Sequence, residues 1–66
     1  MSEPAYVRRW MNKRVRIWRG GREDEGIVTD VSQKVVEHER VTNLTVLLDS
    51  GFLAPGVEIR DAVLLP

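Results

Sequence analysis

Residues 13–31 constrain the fold more than any other part of this chain. The segment KRVRIWR alternates between apolar and charged side chains, which is the period of a strand buried on one face, with Val15 and Ile17 inward. Gly20 and Gly21 supply the positive φ angles of a tight hairpin, and the segment IVTDV begins a second strand. The side chains expected to face away from the core are those of Arg14, Arg16 and Trp18.

The remaining pattern predicts a short N-terminal helix and five short strands. Ser2 is expected to cap a helix over about residues 4–11, in which apolar side chains repeat four apart. The strands are predicted at about 13–19, 25–36, 41–48, 52–54 and 57–65, with a break near 61–62. A break or a bulge at residues 32–34 remains open. Ten valines favour strands, and the number and spacing of the segments predict a mainly β fold, a small closed or nearly closed barrel.

The length of 66 residues predicts one domain with a small core. Because the chain has no cysteine, packing and self-association must supply its stability, so we expect a homo-oligomer. No apolar run approaches the ~18 residues of a membrane span, so no membrane association is expected. A small domain without disulfides favours a cytoplasmic location.

Ten basic and ten acidic residues cancel, but they are unevenly placed along the chain. Residues 1–22 contain seven basic residues and one acidic residue, a net charge of +6, and residues 23–66 carry −6. This asymmetry leaves three interpretations open: a basic face for a polyanion, contacts between subunits of opposite local charge, and simple solvation of a small surface.

The composition favours a protein that is not an enzyme. There is one histidine, no cysteine and no serine in a nucleophile-elbow context, so acyl transfer lacks its residues. His38 does not form a metal site with Glu37 and Glu39, because on a strand the two glutamates would share the face opposite to it. We expect His38 to be an exposed turn residue. The acidic cluster at residues 23–25 is interpreted as a solvated turn. Neither a metal nor a cofactor is predicted.

Basic and aromatic residues are interleaved near the N-terminus, a composition typical of proteins that bind single-stranded nucleic acid. Cationic side chains neutralise phosphates while aromatic rings stack on bases. Trp10 is expected in the core, whereas alternation places Trp18 on the arginine face, either exposed or at an interface. The candidate nucleic-acid-binding residues in this part of the chain are Arg8, Arg9, Lys13, Arg14, Arg16, Trp18, Arg19 and Arg22.

A helix, a KRVRI strand, a GGREDEG turn and an NLTVLLD strand follow one another along the chain, and Ile59 and Arg60 come after them. In this order of motifs nearly the whole chain resembles the Sm-like family. It implies a five-stranded SH3-like barrel behind an N-terminal helix, and RNA binding by a ring of subunits with Asn43 and Arg60 lining the base pocket. The wider SH3-like barrel class, which includes many protein-binding modules, fits the same spacing. The matching residues are Gly21, Arg22, Glu23, Gly26, Asn43, Leu44, Leu47 and Asp49.

The leading prediction is a small non-enzymatic barrel that binds RNA or another single-stranded nucleic acid through its basic, aromatic N-terminal face. The alternative is a protein-interaction or scaffold subunit that self-associates. Trp18 and the oppositely charged halves of the chain would then make the contacts between subunits.

Overall fold

A computed structural model describes residues 3–66, so the predicted cap at Ser2 lies outside the described residues. Helix α1 spans Ala5–Trp10. The strands are β1 (Arg14–Arg19), β2 (Arg22–Val36), β3 (Glu39–Leu48), β4 (Leu53–Glu58) and β5 (Ala62–Leu64), with a 3-10 helix, η1 (Ile59–Asp61), before β5. The predicted combination of a short helix and five strands is confirmed.

All five strands belong to one antiparallel sheet in the order β4-β3-β2-β1-β5. Within residues 3–66 the edge strands β4 and β5 are not paired with each other, so the expected closed barrel is seen only as a five-stranded sheet. The sheet is nevertheless curved, because η1 contacts both β1 and β3, which are separated by β2 in the sheet.

The core lies on the concave side of this curve. Val15 and Ile17 of β1 are fully buried, as the alternation predicted, and they pack with side chains of β2 and β3. Trp10 is 6% exposed and joins the same cluster, so α1 is held to the sheet by its last residue. Asn12 then adopts φ 62, and its N–H donates to the carbonyl of Val28, which directs the chain from the helix into the sheet.

Strand boundaries differ from the prediction around the two central turns. The acidic residues 23–25 are paired in β2 and not in a turn, because the two-residue turn at Gly20 and Gly21 brings Arg22 opposite Arg19. The second turn consists of Glu37 and His38 alone, so β3 begins at Glu39. Residues 32–34 show neither a break nor a bulge, since each is paired with β3.

Irregular pairing occurs where the sequence did not indicate it. The register of β2 on β3 shifts between Val28 and Asp30, and not at the glycine of this strand, Gly26. Proline followed by glycine is typical of a turn, but Pro55 and Gly56 lie within β4. Strand β4 lies at the edge of the sheet, and Pro55 is not among its residues that pair with β3. The missing N–H of Pro55 therefore costs the sheet no hydrogen bond. The predicted break near 61–62 is η1, which ends at Asp61.

Candidate nucleic-acid interface

The outer face of β1 carries ion pairs between its arginines and acidic residues of β2 and of the turn that follows β3. Arg14 contacts Asp49, with 3.1 Å between Nη1 and Oδ1, and reaches Glu25 at 3.4 Å. Arg16 lies 2.9 Å from Glu23 and 3.2 Å from Glu25. The hairpin therefore folds part of the acidic half of the chain onto the basic half. The arginines predicted to bind phosphates on this face are paired internally.

The contact between Arg14 and Asp49 shifts the protonation equilibria of both groups. The hydrogen bond from Arg14 holds the pKa of the Asp49 carboxyl below its ordinary value, and the same hydrogen bond raises the pKa of Arg14. Both side chains are substantially exposed, so solvent screens the attraction. The pair fixes the Arg14 side chain without removing it from water.

Two further candidate arginines also have acidic partners. Arg22 lies 3.4 Å from Asp24, and Arg60 lies 2.6 Å from Glu58. The side chains of Arg22 and Arg60 remain 77% and 80% exposed. Exposed pairs of this kind contribute about 0–1 kcal/mol, so a phosphate can replace the carboxylate at little cost.

The remaining basic candidates of the N-terminal part form no ion pair among residues 3–66. Arg8 and Arg9 are exposed on α1, and Lys13 is exposed in the connection to β1. The guanidinium carbon of Arg9 lies 5.9 Å from the centre of the Trp10 ring, a cation–π distance. Arg8, Arg9 and Lys13 are therefore exposed cations that precede β1 in the chain.

Arg19 occupies the end of β1, where two surface grooves meet. The first groove has a volume of about 530 Å³ and is lined by Arg19, Gly20, Arg22, Asp24, Leu48, Ser50 and Phe52. The second groove has a volume of about 320 Å³, and its lining includes Trp18, Arg19, Gly20, Pro55, Glu58, Arg60 and Asp61. Both grooves are open to solvent, and each has one exposed aromatic ring. They are joined through Arg19 and Gly20.

The aromatic rings of both grooves are accessible. Trp18 is 45% exposed and Phe52 is 58% exposed. The guanidinium carbon of Arg19 lies 5.6 Å from the centre of the Phe52 ring. This is a cation–π contact, which holds the Arg19 guanidinium next to the Phe52 ring. The groove that contains Trp18 is lined by Arg19 and Arg60.

Phe52 is the site residue that the sequence analysis missed. Its position after the turn at residues 49–51 indicated a strand, and an aromatic residue next to a turn is usually counted as core. Alternation from the inward Ala54 also assigns Phe52 to the core face, so the sequence held no signal of its exposure. Phe52 lies beyond the last paired residue of β4, Leu53. At the rim of the sheet that face is open to solvent.

Asn43 and Arg60 lie in neighbouring elements. Asn43 is half-buried on β3 and pairs in register with Glu58 of β4, and Arg60 follows two residues later in η1. Arg60 lines the second groove, whereas Asn43 lines neither of the two grooves described above.

His38 is exposed at the tip of the β2–β3 hairpin, as expected. In residues 3–66, no three histidine, cysteine, aspartate or glutamate side chains converge as ligands for a metal ion. None of the helices in this part of the chain has the length and apolar character needed to cross a membrane.

Compared with protein-family models, with curated proteins and with solved structures, the chain shows no match.

Proposed function

We propose that this chain is a non-enzymatic module that binds single-stranded nucleic acid through the two grooves that share Arg19. The observation that carries the proposal is that Arg19 lines both grooves, with the exposed ring of Phe52 in one groove and that of Trp18 in the other. Sites for single strands combine cations that follow the backbone with aromatic rings that stack on successive bases. The proposed site thus lies at the end of β1 and does not include Arg14 and Arg16, the two arginines of that strand that form ion pairs.

The charges around the grooves agree with this role when their partners are considered. The linings of the two grooves together contain three arginines and three carboxylates, so their net formal charge is zero. Arg22 and Arg60 are held by exposed ion pairs that a phosphate can displace, and Arg19 has no acidic partner among residues 3–66. We therefore expect stacking to supply much of the affinity and Arg19 to supply the main phosphate contact.

The finer fold assignment, an SH3-like barrel of the Sm-like kind, belongs to the same proposal. Its support is the curvature of the sheet, which brings η1 against both β1 and β3. The base pocket implied by the resemblance would use Asn43 and Arg60, of which Arg60 shares the second groove with Trp18. A stacked base beside Trp18 would therefore lie next to the arginine of that implied pocket.

The proposal is tested by titrating the full chain into dye-labelled single-stranded RNA and DNA and measuring fluorescence anisotropy at two salt concentrations. We expect Phe52→Ala to weaken binding by roughly 5- to 150-fold, since one stacked base contributes about 1–3 kcal/mol. Arg19→Ala should lower the dependence of log K on log salt by about 0.7, the value for one phosphate contact on a single strand.

Lys34→Ala is the matched control, because it removes an exposed cation from the β2–β3 hairpin, outside both grooves. It should leave the affinity close to that of the unaltered chain. Absence of binding at low salt would exclude the proposed function. Binding lost with Arg8→Ala and Arg9→Ala but retained with Arg19→Ala would move the site to the helix.

A second candidate function is that of a self-associating interaction subunit. It is favoured by large apolar side chains that are exposed on the outer face of the sheet, among them Leu47 and Leu53. Measuring the mass in solution tests this function, because a monomer at all concentrations would contradict it.

A further inference from the structure

Three apolar side chains form a continuous row across the outer face of the sheet. Ile27 of β2 pairs with Leu47 of β3, and Leu47 pairs with Leu53 of β4. Their exposed fractions are 36%, 44% and 52%. In an antiparallel sheet with one solvated face, outward positions are usually polar, so three aligned apolar residues on adjacent strands are exceptional. We call Ile27, Leu47 and Leu53 the outer apolar row.

The charges beside the row are already satisfied within the chain. Arg14 occupies the position next to Ile27 on β1, and its guanidinium is held by Glu25 and Asp49. When another molecule covers an exposed apolar surface, the charged side chains beside it also lose water. No unpaired charge is then buried if these side chains already have partners of opposite charge. Arg14 and Arg16 are paired with Glu23, Glu25 and Asp49, so the net formal charge of this part of the face is only −1, which permits contact with an identical surface.

The edges of the sheet are poorly suited to association. Strand β4 contains Pro55, which cannot donate a main-chain hydrogen bond, and Gly56 has φ 68, which departs from a strand conformation. Strand β5 has three residues. Because short edges and proline prevent pairing with another strand, extension of the sheet by a second copy is disfavoured. The outer face, with its apolar row, is the part of the sheet that remains for association.

We propose that a second copy of this chain packs on the outer apolar row in a two-fold, face-to-face dimer. Leu47 lies in the middle of the row, so it lies near the symmetry axis, and the paired charges of Arg14 and Arg16 lie at the rim in water. An apolar centre surrounded by a polar rim is the usual organisation of a protein interface. This inference deepens the second candidate function and does not depend on the groove site.

The test is analytical ultracentrifugation of the full chain at protein concentrations from about 1 μM to about 1 mM. We expect a reversible increase toward twice the monomer mass of 7.6 kDa. Leu47→Glu should weaken association at least tenfold, because it places a carboxylate in the centre of the contact. Leu53→Lys should also weaken association at least tenfold. Because this variant introduces a positive charge, the same loss in both variants would show that repulsion between negative charges is not its cause.

Val35→Glu is the matched control, since Val35 is an apolar residue, 70% exposed, on the β2–β3 hairpin and outside the row. It should leave association unchanged. Circular dichroism and thermal unfolding establish that each variant is folded. A monomer at all concentrations would overturn the inference and the second candidate function together. Association that persists unchanged in folded Leu47→Glu and Leu53→Lys would overturn the inference alone, and would indicate contact through an edge or the hairpin.

Discussion

Gly26 of β2 lies against the main chain of Leu47 of β3, so that a Cβ at Gly26 would lie 2.8 Å from the Leu47 carbonyl carbon. This glycine is required by the close approach of two strands and not by its φ angle. Its neighbours are main-chain atoms, which cannot rotate away as a flexible side chain would. The packing of β2 on β3 at this point therefore admits no larger residue.

Gly26→Ala should lower the free energy of unfolding by about 1–3 kcal/mol, the usual cost of forcing extra atoms into a packed site. Gly20→Ala is the control, because a Cβ at Gly20 has no neighbour within 4 Å although its φ is +53. That variant should cost about 1–2 kcal/mol through its backbone conformation alone. Urea denaturation measures the free energy of unfolding of both variants. Hydrogen exchange distinguishes them, because only Gly26→Ala should reduce the protection of amides in β3. Unchanged protection of β3 in Gly26→Ala would contradict the close approach.

Replacing Glu37 and His38 by the pair Asn-Gly should raise the free energy of unfolding by about 1 kcal/mol. Both residues have positive φ, 51 and 71, which side chains with a Cβ adopt at a cost. Asn-Gly is the preferred pair for a two-residue hairpin turn with these angles. Thermal denaturation measures the change. Ser32→Gly, in the middle of β2, should instead lower stability by about 0.5–1 kcal/mol, which excludes a general benefit of glycine.

Asp49→Asn should change how stability depends on pH on the acid side. The folded-state pKa of Asp49 is lowered below its ordinary value of 3.8 by the hydrogen bond from Arg14. The stabilisation is therefore complete above pH 3.8 and is lost as the pH falls through the lower folded-state pKa. The variant should show a shallower loss of stability in this acid range. Asp30→Asn, which removes a carboxylate with no ion pair in residues 3–66, serves as the control for charge number. An identical acid profile for Asp49→Asn and the unaltered chain would exclude this contribution.

The two tryptophans should respond differently to a bound oligonucleotide. Trp18 is 45% exposed and lines a groove, whereas Trp10 is 6% exposed and lies in the core. Addition of a single-stranded oligonucleotide should quench the fluorescence of Trp10→Phe, which retains Trp18, because a base stacks on its ring. Trp18→Phe retains Trp10 and should show little quenching. Equal quenching of both variants would contradict stacking on Trp18.

The sequence predicted the inner face of β1 well, because alternation around Val15 and Ile17 depends only on neighbouring residues. It predicted the partners of the arginines less well. The opposite charges along the chain suggested a basic face, but ion pairing depends on hairpin register, and the two-residue turn brings Glu23 and Glu25 beside Arg16. Pro55 and Gly56 are likewise typical of a turn when only neighbouring residues are considered. An edge strand such as β4 tolerates them, but which strand lies at the edge depends on the whole sheet.

The pairing of β1 with β2 also has a consequence for the order of folding. The basic half and the start of the acidic half of the chain meet across Gly20 and Gly21, so their attraction acts over a loop of only two residues. Short loops close with the smallest loss of entropy. We therefore expect the β1–β2 hairpin to form early, and the refolding rate to decrease in about 1 M salt, where the Debye length is about 3 Å. The uneven distribution of charge along the chain then accelerates the pairing of β1 with β2 during folding, independently of what the protein binds.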